Sequence, residues 1–220
     1  MKVQAVIFDM DGLMFDTETI SYEAWVQTGK EFGQDFSEEF ILSFVGMNLK
    51  SLEKKFNASY GEQLDFAEVN KRCYEIYNKI LEEQGVPIKP GLMELLAYLK
   101  ENNYKIALAT SAPREGATWN LKKAGVDSYF NTYVCGDMVT KGKPDPEIFL
   151  TAAKILGEKP ADCMVLEDSI HGITAASLGG FPTVMVPDLL QPERELEERL
   201  TAKCDSLLDV ILLLESIRTW

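Results

Sequence analysis

Apolar positions along the chain follow two alternating patterns. Short runs that are apolar throughout recur at Val3 to Phe8, Ile106 to Ala109, Thr132 to Cys135, Cys163 to Leu166 and Thr183 to Val186. Each is followed at once by acidic, hydroxyl, glycine or proline residues. Runs of this length without polar alternation predict strands buried on both faces. Helical faces lie between most of them. Leu92, Leu95, Leu96 and Leu99 form one face after Pro90-Gly91. Ile148, Phe149, Ala152 and Leu156 form another, starting near Asp145-Pro146. Such alternation predicts a parallel sheet with helices on both sides, a doubly wound, Rossmann-like α/β core.

One stretch breaks the alternation. From about Thr17 to Gln84 the pattern is helical nearly throughout. Ile20, Trp25, Thr28 and Phe32 share a face, and Phe66, Val69, Cys73, Ile76 and Ile80 form a longer stripe. Ser37 before Glu38 and Glu39 reads as a helix start, with acids at the positive end of the dipole. A small all-α cap of roughly 70 residues is therefore expected after the first strand. The expected division is 1–15 with 87–220 as core and 16–86 as cap. The flanks near Asp16 and near Val86-Pro87 are candidate hinges.

Composition narrows the function classes. The chain has 220 residues, 46% of them hydrophobic, enough for one large core or a core with a smaller companion. Its formal net charge is −13. No basic stripe is present, so nucleic acid and anionic membranes are not expected partners. No apolar run is long enough to span a bilayer, and Met1-Lys2-Val3-Gln4 does not open a leader peptide, so a cytoplasmic location is expected. A monomer is the expected state. Cys73, Cys135, Cys163 and Cys204 form no Cys-x-x-Cys pair and read as buried reduced thiols. A single histidine, His171, leaves no material for a histidine-rich zinc site.

Four clusters carry candidate chemistry. Asp9 and Asp11 follow the first strand, and Gly12 lets the backbone turn at once. Side chains two apart on an extended chain face the same way, and two close acids favour a bound cation or a shared proton. A solvated turn with a helix cap is the competing reading. Thr110 and Ser111 end the second core strand. Hydroxyls there can hold a phosphate oxygen, or simply cap the next helix. Lys143, in Lys141-Gly142-Lys143-Pro144, can neutralise a transferring phosphoryl group, or be an exposed turn lysine. Glu167 and Asp168 lie just beyond another strand and supply the oxygen ligands that suit Mg²⁺. All four clusters fall at carboxyl ends of parallel strands, which share one rim.

In this combination the sequence resembles the haloacid dehalogenase superfamily, in its phosphatase and β-phosphoglucomutase-like branch. The resemblance covers essentially the whole chain and rests on Asp9-Met10-Asp11-Gly12, Thr110, Lys143 and Glu167-Asp168. It implies that Asp9 attacks phosphorus and becomes an aspartyl phosphate. Asp11 then protonates the leaving oxygen and later acts as base toward water. Mg²⁺ would be held by Asp9, the backbone carbonyl of Asp11, and Asp168, with Glu167 assisting. Thr110 and Lys143 would bind phosphoryl oxygens, and the helical cap would close over a small phosphorylated metabolite. Gly46, Met47 and Asn48 would lie in a cap loop facing that substrate, with core packing the equal alternative for Met47.

Branches within the family differ at specific positions. Dehalogenases lack an acid at the position of Asp11, so carbon–halogen cleavage is disfavoured. Lys50 and Lys54 keep a cap-lysine Schiff base formally open, although both read as surface charges. The family's mutases resemble one another in an early cap histidine and a later cap arginine. Here the segments read Asp16-Thr17-Glu18-Thr19-Ile20-Ser21-Tyr22 and Gly46-Met47-Asn48-Leu49-Lys50. That departure favours phosphomonoester hydrolysis, with a sugar phosphomutase as the alternative. A phosphoacceptor module of the receiver type uses similar residues. Such modules are shorter, lack the helical insert, and carry the acceptor on a later strand.

Overall fold

The computed structural model describes residues 2–189, 191 and 194–218. The chain begins with β1 (Ala5–Phe8) and then runs through four helices, α1 (Thr17–Glu31), α2 (Glu38–Leu42), α3 (Leu49–Tyr60) and α4 (Phe66–Gln84). It continues with α5 (Leu92–Glu101), β2 (Lys105–Thr110), α6 (Arg114–Lys123), β3 (Thr132–Cys135) and α7 (Glu147–Leu156). The last part holds β4 (Cys163–Glu167), α8 (Ile170–Leu178), β5 (Thr183–Met185), α9 (Arg194–Glu197), β6 (Ala202–Lys203) and α10 (Leu207–Arg218). No described helix is long and apolar enough to cross a membrane.

The six strands among the described residues form one parallel sheet in the order β3-β2-β1-β4-β5-β6. Side chains alternate between its faces, as the strand geometry requires. Val6, Phe8, Ile106, Leu108, Met164 and Leu166 pack on one side against α5, α6 and α10. Ala5, Ile7, Ala107, Ala109, Cys163 and Val165 pack on the other against α7 and α8. The small alanines on this second face let Phe149 of α7 approach the sheet closely. Both faces are therefore dry, which is why the strands read as unbroken apolar runs. All four cysteines are free and buried.

Strand limits differ slightly from the sequence pattern. Glu167 is the last residue of β4 rather than the first residue beyond it. Neighbouring strands satisfy its backbone, while its side chain is paired as described below. The short strand β6 carries no apolar run, because pairing with β5 alone defines it.

Helices α1 to α4 gather around a separate apolar cluster. Five of its ten buried members are aromatic: Trp25, Phe36, Phe44, Phe56 and Phe66. Trp25 and Phe44 meet edge to face with ring centroids 5.0 Å apart, the geometry that ring quadrupoles favour. Ser37 caps α2 through Phe40 N–H, as its place in the sequence indicates. Two chain segments join this helical layer to the sheet, and they are bonded to each other. Asp16 N–H donates to the Pro87 carbonyl (2.9 Å), and Lys89 N–H donates to the Met14 carbonyl (2.9 Å).

Candidate active site

Strand order decides where the site forms. The chain leaves β1 toward β2 and β3 on one side, then crosses to β4 on the other. Crossovers that diverge in this way leave a crevice at the carboxyl ends of β1, β2 and β4. Asp9 follows β1, Thr110 ends β2, and Glu167 ends β4. Asp9 N–H is bonded to the Leu166 carbonyl, which ties the loop after β1 to β4.

Lys143 reaches this crevice from the loop before α7. It is only 2% exposed, so it is not a turn lysine. Its ammonium donates to Asp9 Oδ1 and to Glu167 Oε1, and it lies 5.0 Å from the ring centre of Phe149. The Lys143–Pro144 peptide is cis. Burial alone would strip the Lys143 charge, but Asp9 and Glu167 more than offset this and hold its pKa above the ordinary lysine range. Glu167 is held on its other side as well. Its Oε2 accepts from Asp168 N–H, Ser169 N–H and the Ser169 hydroxyl. Gly172 makes room for it, since a β-carbon there would sit 1.7 Å from Glu167 Oε1.

Asp9, Glu167 and Asp168 each offer a carboxylate oxygen, and these atoms lie within 4.8 Å of one another. One ammonium serves this group and the nearby Asp11. Burial first, and the excess negative charge after it, raise the carboxyl pKa values. Burial above all, then Glu167 and Asp11, push the Asp9 carboxyl up to about 8 against the pull of Lys143. Asp168 is raised by burial and then by Glu167 and Asp9. Asp168 Oδ1 is buried without a hydrogen-bond partner. Gly12, at φ +81°, supports this arrangement. A β-carbon on it would lie 2.2 Å from Asp168 Oδ2. Three converging carboxylates, one of which has an orphaned oxygen, with too little positive charge nearby, fit a hard divalent cation such as Mg²⁺.

Asp11 turns away from that cluster. Its Oδ1 accepts from the Thr17 hydroxyl at 2.6 Å. Burial raises its pKa, and Thr17, Lys143 and Thr110 oppose the rise. Thr110 is buried, and its hydroxyl accepts from Ala112 N–H (3.1 Å). Neither Thr110 nor Ser111 caps α6, because Pro113 holds that position. Ser111 instead donates to the Gly46 carbonyl (3.1 Å), joining the sheet rim to the helical layer.

Above these residues lies a cavity of about 600 Å³. Asp9, Asp11, Thr110 and Ser111 form its floor, and Gly46 and Met47 are on its wall. Asn48 is not on the wall. It caps α3 through Ser51 N–H, and its amide lies against Gly142. Gly12, Lys143, Glu167 and Asp168 lie beneath the floor. His171 is half-buried on α8 and faces the Val45 carbonyl; burial lowers its pKa.

Further residues that the motifs did not mark join the site. Glu18 of α1 is on the cavity wall and bonds to the Gly46 backbone. Burial, then Asp11, Asp9 and Asp188, push its carboxyl up to about 8. The Tyr77 hydroxyl lies within reach of the Asn120 and Thr17 side chains. Asp188 pairs with Lys89, and its other oxygen is buried near Asp168 and Gly12. Asp188 was open to detection, since it stands just past β5 as Asp9 stands past β1. Nothing in the local sequence marks Tyr77 or Asn120, which meet only across the cavity.

Comparison with known proteins agrees with this geometry. The family model described as "Haloacid dehalogenase-like hydrolase" matches residues 6–186. A phosphorylated carbohydrates phosphatase of Thermotoga maritima is 33% identical over 190 residues, covering 83% of this chain and 84% of that protein. A β-phosphoglucomutase of Bacillus subtilis is 33% identical over 200 residues, covering 84% and 83%. The crystal structure of a hydrolase from Pseudomonas syringae superposes with a TM-score of 0.84 at 27% identity, over 97% of this chain and 99% of the other.

Proposed function

The chain belongs to the haloacid dehalogenase-like hydrolases, and from that premise we propose that it hydrolyses small phosphomonoesters, sugar phosphates foremost, through a phosphorylated Asp9. One observation carries the proposal. Asp9 presents a carboxylate at the cavity floor, held by a buried lysine, with Asp11 beside it. A carboxylate attacks an anionic ester only when nearby positive charge screens the approach.

The residues then divide the work. Asp9 attacks phosphorus, and the phosphorus–oxygen bond of the ester breaks. Asp11 gives its proton to the departing alkoxide. Burial raises its pKa, the direction a proton donor needs. Asp11, now a carboxylate, takes a proton from water, and that water attacks the phosphoryl group. Inorganic phosphate leaves and Asp9 is restored. Lys143 and the Thr110 hydroxyl hold phosphoryl oxygens. Thr17 orients Asp11 through its 2.6 Å bond. Mg²⁺ would be held by Asp9, Asp168 and the Asp11 backbone carbonyl. When bound, it would neutralise charge on the phosphoryl group. Glu167 supports that set indirectly, since both its oxygens are already engaged.

The helical layer acts as a cap that limits access of water, with the paired segments at Asp16 and Pro87 as its hinge. Four unpaired thiols suit a reducing cytoplasmic setting. The equal similarity to a β-phosphoglucomutase keeps one second reading, transfer of phosphate between positions on a sugar. The test is phosphate release with Mg²⁺ from a panel of sugar phosphates and nucleoside monophosphates. Glucose phosphate isomers are checked for interconversion in parallel. Release of phosphate supports hydrolysis. Interconversion with little release makes the protein a mutase.

A further inference from the structure

The charge on the cavity wall is lopsided. The floor has Lys143 beneath it, committed to Asp9 and Glu167. Beyond the floor the charged wall residues are Glu18, Glu82 and Glu115. Among the described residues lining the cavity, none is lysine, arginine or histidine. Arg114, between Pro113 and Glu115, is exposed and not on the wall. Glu82 comes from α4 and Glu115 from α6, so the cap and the sheet side each contribute an acid.

The rest of the wall is largely apolar, with aromatic and amide side chains among it. Trp25, Tyr74 and Trp119 supply flat apolar surface, and Asn70, Asn78 and Asn120 supply neutral donors and acceptors. Flat rings with a few fixed amides suit a compact body that has an apolar face and hydroxyl edges. A cavity of about 600 Å³ admits a monosaccharide or a nucleoside. A second anion on that body would face the carboxylates of Glu82 and Glu115 with no cation among the described wall residues, and like charge placed this way works as rejection.

We infer that the substrate is a phosphomonoester with a single phosphate on a neutral, hydroxylated ring, and that the wall acids reject esters whose body carries a second anion. This deepens the hydrolytic reading above and rests on the same cavity. It sets Glu82 and Glu115 as specificity residues against bisphosphates and diphosphates.

Matched pairs test it. A hexose 6-phosphate is compared with its 1,6-bisphosphate, and a nucleoside 5′-monophosphate with its 5′-diphosphate. Phosphate release with Mg²⁺ gives kcat/KM for each, and calorimetry on the Asp9→Asn protein gives Kd for the same esters. The singly phosphorylated member of the better-accepted pair is expected to lead by at least about tenfold in both readouts. The pair that does so separates sugar from nucleoside substrates. The double variant Glu82→Lys/Glu115→Lys is expected to narrow that ratio by about threefold or more. Ratios near one, or a ratio unmoved in the double variant, overturn the inference. If no ester releases phosphate but the Asp9→Asn protein still discriminates, hydrolysis falls and the charge selectivity stands.

Discussion

The sheet core and the helical cap are built from different material. Of the 25 buried residues in the larger core cluster, only Phe8 and Phe15 are aromatic. The cap reaches its own dry interior with ten buried residues, and half of them are aromatic. Aromatic rings bury much area per residue, so a thin helical layer can hold together with few of them. The polar burden is unequal too. The core buries Asp9, Thr110, Lys143, Glu167 and Asp168, each at a strand end or in a loop beside one. In the cap's aromatic cluster the polar counterpart is slight: Thr28 is fully buried, and its hydroxyl returns to the Ala24 carbonyl. Most of the buried charge therefore sits at the rim of the sheet, while the cap brings Glu18 and Glu82 to the cavity wall.

Substitutions can break that division, and the largest effect belongs to the core. Asp9→Asn is expected to lower turnover by about 10⁴-fold or more while thermal unfolding stays cooperative. Substantial residual turnover would remove Asp9 as the nucleophile. Lys143→Ala leaves two buried carboxylates without their cation. Its expected cost is about 3–5 kcal/mol of stability, read by urea unfolding without Mg²⁺. A fall of about 100-fold or more in kcat should accompany it; unchanged kinetics would return Lys143 to a structural role.

The cap should respond differently. Phe56 is fully buried and stands among Trp25, Phe36, Tyr60 and Phe66. Phe56→Ala is expected to cost about 3–5 kcal/mol. Hydrogen exchange should quicken in α1, α3 and α4 before it does in the strands. Uniform loosening of both regions would show that cap and core unfold as one unit. Mg²⁺ should act on the core alone. At 100 times its Kd it is expected to stabilise the protein by about 2.7 kcal/mol, and Asp168→Asn should abolish that rise in Tm.

The smallest effect joins the two regions. Glu18 has its pKa raised by burial from the ordinary 4.5 to about 8. Its folded form holds the proton more tightly than the unfolded chain does. The related stability is full below pH 4.5 and is lost as pH rises through about 8. Asp9 shifts in the same direction. Without Mg²⁺, Tm should therefore fall across this window. Glu18→Gln should shrink the fall, and an unchanged slope would assign the whole effect to the core acids.

Much of this was legible in the chain itself. Unbroken apolar runs announce strands covered on both faces, because polar residues cannot sit in a dry sheet. Acid, hydroxyl or lysine residues placed just past those runs announce the site, because parallel strands bring such ends to one rim. Ser37 and the stripe from Phe66 to Ile76 mark the helical layer through local rules of capping and periodicity. Other decisions needed the folded molecule. Three-dimensional contact alone turned Asp11 toward Thr17, committed Asn48 to Gly142 and α3, and put Tyr77 beside Asn120. It also gathered Glu18, Glu82 and Glu115, distant in sequence, on one wall without a cation. Short-range chemistry is written in neighbouring residues. The field inside a cavity is the sum over elements from the whole chain, and only their packing sets it.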